Sequence, residues 1–268
     1  MTNRNATISV VIPLYNSGES AILAINSALN QSLPCHEIIV INDGSTDDSL
    51  LRVSSKFGNL CNVKIFSIEN KGAAGARNYG ILKSNSDYIA FLDSDDLWLP
   101  RKLEIQMNYL LADPELSLVG ALTNMKNFLS HKALKPNPFI DISLRDLLFK
   151  NYFQTSTVVV DSYIIKSVGG FPEGRRHAEE GDLFMRIASK FKCILINEVL
   201  VDYSGGKRGF GSSGLSSNLW AMEFGELQNI LNAYQRNDCG LFMFMLSTAY
   251  SLVKFARRFI LNLFFGAK

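Results

Sequence analysis

The chain is poor in the residues that staple or mark small secreted and metal-binding proteins. Its four cysteines, at positions 35, 61, 193 and 239, are widely scattered and form no C-x-x-C pair. This spacing argues against a zinc site or a disulfide framework and reads as buried free thiols. Charge of one sign is also lacking. Against 27 Lys+Arg stand 25 Asp+Glu, a formal net charge of +2, which excludes a globally basic nucleic-acid binder and a disordered acidic chain. The polar start, Met1-Thr-Asn-Arg-Asn-Ala6, has neither the apolar stretch nor the cleavage pattern of a signal peptide, so a cytoplasmic protein is expected. No phosphate loop of the G-x-x-x-x-G-K-[ST] type is present, and no G-x-G-x-x-G follows the first strand-like run. Internal repeats and a clean interdomain linker are missing too.

What is present is a sequence of 268 residues, 47% hydrophobic, with a mean hydropathy of +0.08. That is ample for one large domain or two small ones. Thr7–Ile12, Glu37–Ile41, Val63–Ile68 and Asp87–Leu92 are short β-branched runs that read as buried strands. Between them lie helical patterns: Ile22, Ile25 and Leu29 on one face, a helix to about Phe57 opened by Ser45-Thr-Asp-Asp48 as its N-cap, Ala73–Lys83, and Leu99–Leu111 with Pro100 in its first turn. This alternation predicts an α/β fold with a mostly parallel, Rossmann-like sheet flanked by helices. Beyond Leu122 the pattern loosens. Gln154–Val160 reads as a strand, Val168–Pro172 as a turn, Glu180–Phe191 as a helix, Cys193–Asn197 as a short strand and Gly205–Gly214 as a flexible loop.

In such sheets ligands collect beyond the carboxyl ends of the strands. The polar residues closing the apolar runs are Pro13-Leu-Tyr-Asn16, Asn42-Asp-Gly-Ser45, Glu69-Asn-Lys-Gly72 and Asp93-Ser-Asp-Asp96. If the strand geometry persists, Asp93 and Asp95 share a side and offer two hard oxygen donors suited to Mg2+ or Mn2+. The alternative is that they cap the next helix. Tyr15 presents a flat face for a base, or ordinary half-buried packing. Asp43 accepts from a base or ribose, or serves an Asp-Gly turn. Gly72 and Gly75 permit close approach at a helix start. Arg77 beside them is either a cation near a ligand or a surface ion pair. Further on, Glu179, Glu180 and Asp182 open a helix, where acids favour the dipole or supply a base.

Taken in order, Pro13-Leu-Tyr-Asn16, Asn42-Asp-Gly-Ser45, Asn70-Lys-Gly-Ala-Ala-Gly-Ala-Arg-Asn78, Asp93-Ser-Asp95 and Glu179-Glu-Gly-Asp-Leu-Phe-Met-Arg186 resemble the family 2 inverting glycosyltransferases of GT-A fold. The resemblance covers about Ile8 to Asp202. It implies a nucleotide-sugar donor, usually a UDP-sugar, held by Pro13, Tyr15, Asp43, Lys71, Gly75, Arg77, Asp93 and Ser94. It also implies a Mg2+ or Mn2+ ion on Asp95. Where the family has Glu-Asp, this chain has Glu179-Glu180, so Glu180 is the expected catalytic base, with Glu179 and Asp182 as supporting acids. Glu19 matches a commonly acidic position of open role. Some relatives place a metal-binding His near Gly205–Gly214, but His36, His131 and His177 lie elsewhere. Lys207 and Arg208 in that loop would fold over the diphosphate or remain solvated. The expected acceptor is a glycan or a lipid-linked sugar, in bacterial-type surface polysaccharide synthesis.

The expected division is a catalytic domain over 1–238, with a nucleotide-sugar half to about 122 and an acceptor half from 123, then an amphipathic helix in 239–268. In that tail Ser247, Ser251, Lys254, Arg258 and Asn262 make one polar stripe within an apolar arc. Charges at Lys254, Arg257 and Arg258 argue against a bilayer-spanning helix. Two readings follow: docking on the domain or a partner subunit, or lying on a membrane with the basic residues at anionic headgroups. Oligomerisation is compatible with either. Competing activities are a sugar nucleotidyltransferase, which would carry a Gly-rich basic loop in place of Pro13-Leu-Tyr-Asn16, and a catalytically silent binding subunit, which would have lost its acids.

Overall fold

The computed structural model describes residues 6–124, 137–175, 177–203 and 218–265. The first half alternates as expected: β1 (Ile8–Leu14), α1 (Gly18–Leu29), β2 (Glu37–Asp43), α2 (Ser49–Phe57), β3 (Val63–Ile68), α3 (Gly72–Lys83) and β4 (Tyr88–Phe91). There follow β5 (Leu97–Trp98), α4 (Lys102–Ala112), β6 (Leu116–Thr123), β7 (Phe139–Asp141), α5 (Leu144–Leu147), a 3-10 turn at Thr155–Thr157, β8 (Val159–Asp161), α6 (Ser162–Ser167), α7 (Glu179–Ala188), β9 (Lys192–Asp202), α8 (Leu219–Gln235) and α9 (Leu241–Phe265). Among the described residues the strands form one sheet in the order β3-β2-β1-β4-β8-β6-β9-β5, with β7 on β9. β1 to β4 are mutually parallel, β8 runs against β4 and β6, and β9 is parallel to β6.

Strand periodicity divides the core. Val10 and Ile12 of β1 face α1, α2 and α4 through Ile25, Val53 and Met107, whereas Val11 faces α3, α6 and α7 through Ile81, Ile165 and Leu183. Helices thus cover both faces, as a mostly parallel sheet requires.

Several boundaries refine or differ from the sequence reading, each for a local reason. The second helix starts at Ser49 with Asp48 as its N-cap, the last residue of the expected Ser45–Asp48 cap. Ser45 donates its N–H to Asn42 Oδ1 at 3.1 Å, and Thr46 donates its own to Asn16 Oδ1 at 2.9 Å, which holds both outside the helix. The fourth helix starts at Lys102, since Leu99 N–H still bonds Leu200 O at 2.9 Å. Gln154–Val160 is not one strand: Gln154 O accepts from Thr157 N–H and closes the 3-10 turn before β8. Of the four free thiols Cys35 and Cys193 are buried, Cys239 is partly covered and Cys61 is exposed. The tail stripe exists but faces inward over Ser247, Ser251, Lys254 and Arg258, whereas Asn262 is exposed. Lys254 and Arg258 bind Glu226 and Glu223 of α8, so they are not turned outward toward headgroups as the membrane reading had them. No helix among the described residues is long and apolar enough to cross a membrane.

α3 lies close to β1 because Gly80 has no side chain. A Cβ there would stand 2.3 Å from Val11 Cγ1. Gly80→Ala gains about 1 kcal/mol of helix propensity but incurs an overpacking cost of roughly 1–3 kcal/mol, so net destabilisation is expected. In thermal or urea denaturation, Val11→Ala introduced with it should recover part of the loss.

Candidate active site

The carboxyl ends of β1, β2 and β4 form the mouth of the site. Strand registers Leu14↔Asn42 and Asn42↔Ser67 bring the turns after β1, β2 and β3 side by side. Tyr15 stands there 49% exposed, next to half-buried Pro13. Asp43 is buried, and its Oδ1 accepts the Lys71 N–H at 2.7 Å while its carbonyl accepts from Asn70 Nδ2. It therefore shapes the entry to α3. Lys71 is exposed at that entry. Gly72 has φ +75°, whereas the approach that Gly75 permits is to Lys71 itself, whose Cβ would lie 2.5 Å from an added methyl. Glu19 is exposed in the first turn of α1.

β4 ends at Phe91, so the two-residue period does not continue through Asp93-Ser-Asp95. Instead the segment turns, with Asp96 N–H bonded to Asp93 O at 3.1 Å. Nor do these acids cap the following helix, which begins only at Lys102. Asp95 is exposed at the turn, while Ser94 Oγ lies 2.9 Å from Ser17 Oγ. The turn is pinned from beneath. Ser156 Oγ accepts the Asp93 N–H at 3.0 Å and donates to buried Asp96 Oδ2 at 2.5 Å, and Trp98 Nε1 donates to Ser156 O at 2.8 Å.

Arg77 is neither a surface ion pair nor a free cation. It is buried, with Nη2 2.6 Å from Asp93 Oδ1 and Nη1 3.5 Å from Glu179 Oε1, and its guanidinium carbon is 5.3 Å from the Phe171 ring centre. Burial opposes its charge, and the carboxylates of Asp93 and Glu179 more than offset this, holding its pKa above the usual value. Phe171 is itself clasped: Asn78 donates to Phe171 O and accepts from Phe171 N–H, both at 2.8 Å. The preceding Gly169 and Gly170 turn through φ +86° and +66°.

The bridge brings the amino end of α7 to the acidic turn. Ala178, which precedes that helix, adopts a left-handed φ of 55°, an uncommon conformation for alanine. Glu180 is partly buried there. Burial, reinforced by the neighbouring Glu179 charge, pushes its pKa up to about 7. Asp182, expected among the supporting acids, is engaged otherwise. Its oxygens bind Arg186 Nε at 2.8 Å and Arg236 Nη1 at 2.9 Å, so it joins α7 to α8. His177 is half-buried beside Gly225 of α8. Lys207, Arg208 and His131 lie outside the described residues. Tyr203 escaped the sequence reading. Burial first, and then the charges of Asp96, Asp93, Asp95 and Glu180, raise its pKa. The signal was available, since Tyr203 follows the Val199–Asp202 stretch as Asp93 follows β4.

The sequence profile described as Glycosyl transferase family 2 matches residues 9–171. The chain belongs to glycosyltransferase family 2. The chain is similar to a glycosyltransferase of Rickettsia conorii, 36% identical over 76% of this chain and 34% of its own length. Another is TuaG of Bacillus subtilis, named for teichuronic acid biosynthesis, 28% identical over 82% of this chain and 85% of its own. The chain spans 15%, 34% and 62% of the length of the glycosyltransferases from Rickettsia bellii, R. conorii and R. typhi. In fold it is similar to S. aureus TarS 1–349 in complex with UDP-GlcNAc, with a TM-score of 0.69, 20% identity and coverage of 92% and 71% of the two chains. Similarity extends to the mannosyltransferase PcManGT of Pyrobaculum calidifontis in complex with GDP-Man and Mn2+, with a TM-score of 0.71, 17% identity and coverage of 99% and 77%. The architecture is therefore that of the GT-A glycosyltransferases.

Two outcomes follow from this geometry. A Glu whose pKa is about 7 when folded and 4.5 when unfolded contributes its full stability below pH 4.5 and loses it as pH rises toward 7. Glu180→Gln removes that loss, so the variant should melt higher than the parent at pH 8, by a margin on the order of 1–3 kcal/mol, and the margin should shrink at pH 5. Ser156→Ala removes the hydroxyl that joins Asp93 N–H to the buried Asp96 carboxylate and should lower stability by about 1–3 kcal/mol in urea denaturation.

Proposed function

We propose that this protein is an inverting glycosyltransferase that moves a sugar from a nucleotide-sugar, preferentially a UDP-sugar, to a hydroxyl of a glycan or lipid-linked acceptor in bacterial-type surface polysaccharide synthesis. The observation that carries the reading is the Asp93–Arg77–Glu179 bridge, which joins the acidic turn at the strand ends to the helix bearing Glu180. TarS was crystallised with UDP-GlcNAc and the TuaG name refers to a surface polymer, which supports this choice of donor and role.

In this reading Pro13, Tyr15 and Asp43 line the base and ribose pocket, Lys71, Gly75 and Ser94 border the diphosphate, and Asp93 contacts the ribose. Arg77 acts through Asp93 rather than on the phosphates. Residues up to about 122 bind donor, and 123–238 receive acceptor. The donor set suits Mg2+ or Mn2+: Asp95 is an exposed hard-oxygen ligand at the mouth, and such ions take most of their shell from phosphate and water. No cluster of three or more His, Cys, Asp or Glu able to hold a metal occurs among the described residues. A bound divalent ion would supply charge neutralisation for the departing nucleotide diphosphate.

Glu180 does the proton chemistry. Its carboxylate takes the acceptor hydroxyl proton while that oxygen forms its bond to the anomeric carbon and the sugar–phosphate bond breaks. The electron pair leaves with the diphosphate. One base and one displacement invert the anomeric centre. Glu179, held by Arg77, keeps its place and raises the basicity of Glu180. A cytoplasmic enzyme with a lipid-linked acceptor works at a membrane surface, and α9 is the element suited to that contact.

A panel of nucleotide sugars, with nucleotide diphosphate release measured with and without Mg2+ or Mn2+, tests the activity. Turnover should require the ion, and Glu180→Gln should retain donor binding while transfer falls by about 10²–10⁴. Turnover of no nucleotide sugar under any ion would refute the assignment, and undiminished transfer by Glu180→Gln would refute the base.

A further inference from the structure

α9 is amphipathic with its sense reversed. Ser247 and Ser251, at 0% and 1% exposure, face the protein. Ser251 donates to Glu223 Oε1 at 2.9 Å, Lys254 Nζ binds Glu226 Oε2 at 3.2 Å and Phe149 O at 2.9 Å, and Arg258 reaches Glu223 at 2.8 Å and Glu226 at 3.2 Å. The apolar arc faces outward. Phe242 is 73%, Val253 67% and Ile260 52% exposed, and α8 extends the surface with Trp220 at 67% and Phe224 at 71%. A water-facing helix normally shows the opposite arrangement.

We infer that this outward face beds into a lipid surface by apolar insertion, with the basic stripe serving as an internal clamp rather than as a headgroup contact. The inference rests on the membrane-side reading of the acceptor given above and specifies how the contact is made. Two features favour lipid over a second copy of the chain. The first is breadth. At 100° per residue, the exposed positions from Leu241 to Leu261 sweep about 200° of the helix. A packed partner helix covers a stripe about 100° wide, whereas an interfacial bed covers half a cylinder. The second is area. The 25-residue helix is about 37 Å long and about 10 Å across, so its open arc is roughly 600 Å², at the upper end for a patch on a monomer. The stripe available to a second copy is about half of that, well short of the roughly 800 Å² per partner of a stable interface.

Charge separates this mode from electrostatic adsorption. Lys254 and Arg258 are neutralised by Glu223 and Glu226, and within the exposed arc from Leu241 to Leu261 the only charged residue is Arg257, toward one margin. Binding should therefore need neither anionic lipid nor low salt.

Flotation of the full chain with phosphatidylcholine vesicles, and with vesicles containing phosphatidylglycerol, tests this at low salt and at about 1 M salt, where the Debye length is about 3 Å. Equal recovery under all four conditions is expected. Trp220 supplies a second readout, because the other tryptophan, Trp98, is already buried at 4% exposure. Its emission should shift to the blue with phosphatidylcholine alone. The triple variant Phe242→Ser, Val253→Ser, Ile260→Ser should lose partitioning by roughly a hundredfold or more while keeping its melting temperature and its donor turnover. Binding that required phosphatidylglycerol and vanished in salt would overturn the proposal. So would a lipid-free dimer, abolished by the same substitutions, in a chain that does not float. Absent flotation with intact donor turnover strikes the lipid surface alone, whereas absent turnover with intact flotation strikes the transferase reading alone.

Discussion

A guanidinium buried between two carboxylates organises this protein. Arg77 is almost sealed from solvent, and its charge is sustained by Asp93 on one side and Glu179 on the other. Such an arrangement rarely adds net stability over an apolar cluster of equal volume, because three groups must be desolvated together. What it provides is placement. Asp93 stands at the end of β4 and Glu179 opens α7, segments 86 residues apart in the chain, as their numbers show, and the guanidinium fixes their separation. The Phe171 ring, whose backbone is held by Asn78, packs against the guanidinium at 5.3 Å.

The surroundings of that bridge concentrate the molecule's departures from local preference. Asn16 and Ala178 both have positive φ at the mouth of the site. Glu180 retains a proton to about neutral pH under the combined influence of burial and Glu179. Each departure has a cost that the rest of the fold offsets through a continuous apolar core on both faces of the sheet. Strain of this sort is expected where a group must be ready to react rather than comfortable at rest.

Much of this was legible in the sequence, and the illegible parts share a cause. Strands β1 to β4 and their helices announce themselves by local periodicity, and the polar residues that close them do gather at one edge. β6 went unread because Gly120 interrupts an apolar run. That glycine is there because the Phe153 ring would lie 2.5 Å from its Cβ, a neighbour 33 positions away. β5 has two residues and exists only through pairing with β9, some hundred positions on. The stripe on α9 could be read, but not its direction, since that depends on Glu223 and Glu226 of another helix. The separate duties of Asp182, taken by Arg186 and Arg236, and of Ser156, beneath the acidic turn, were likewise set by distant partners.

The reversal of β8 against β4 has a consequence for how such an enzyme can be diversified. It returns the chain so that Ser156, which belongs to the later segment, supports the turn contributed by the earlier one, while β5 of the earlier segment hangs on β9 of the later. The segments before and after β6 are therefore interleaved rather than modular. A chimera joined near residue 122, inside β6, would inherit mismatched supports on both sides of the seam. Variation that leaves the fold intact is more readily accommodated in surface loops than by exchanging halves.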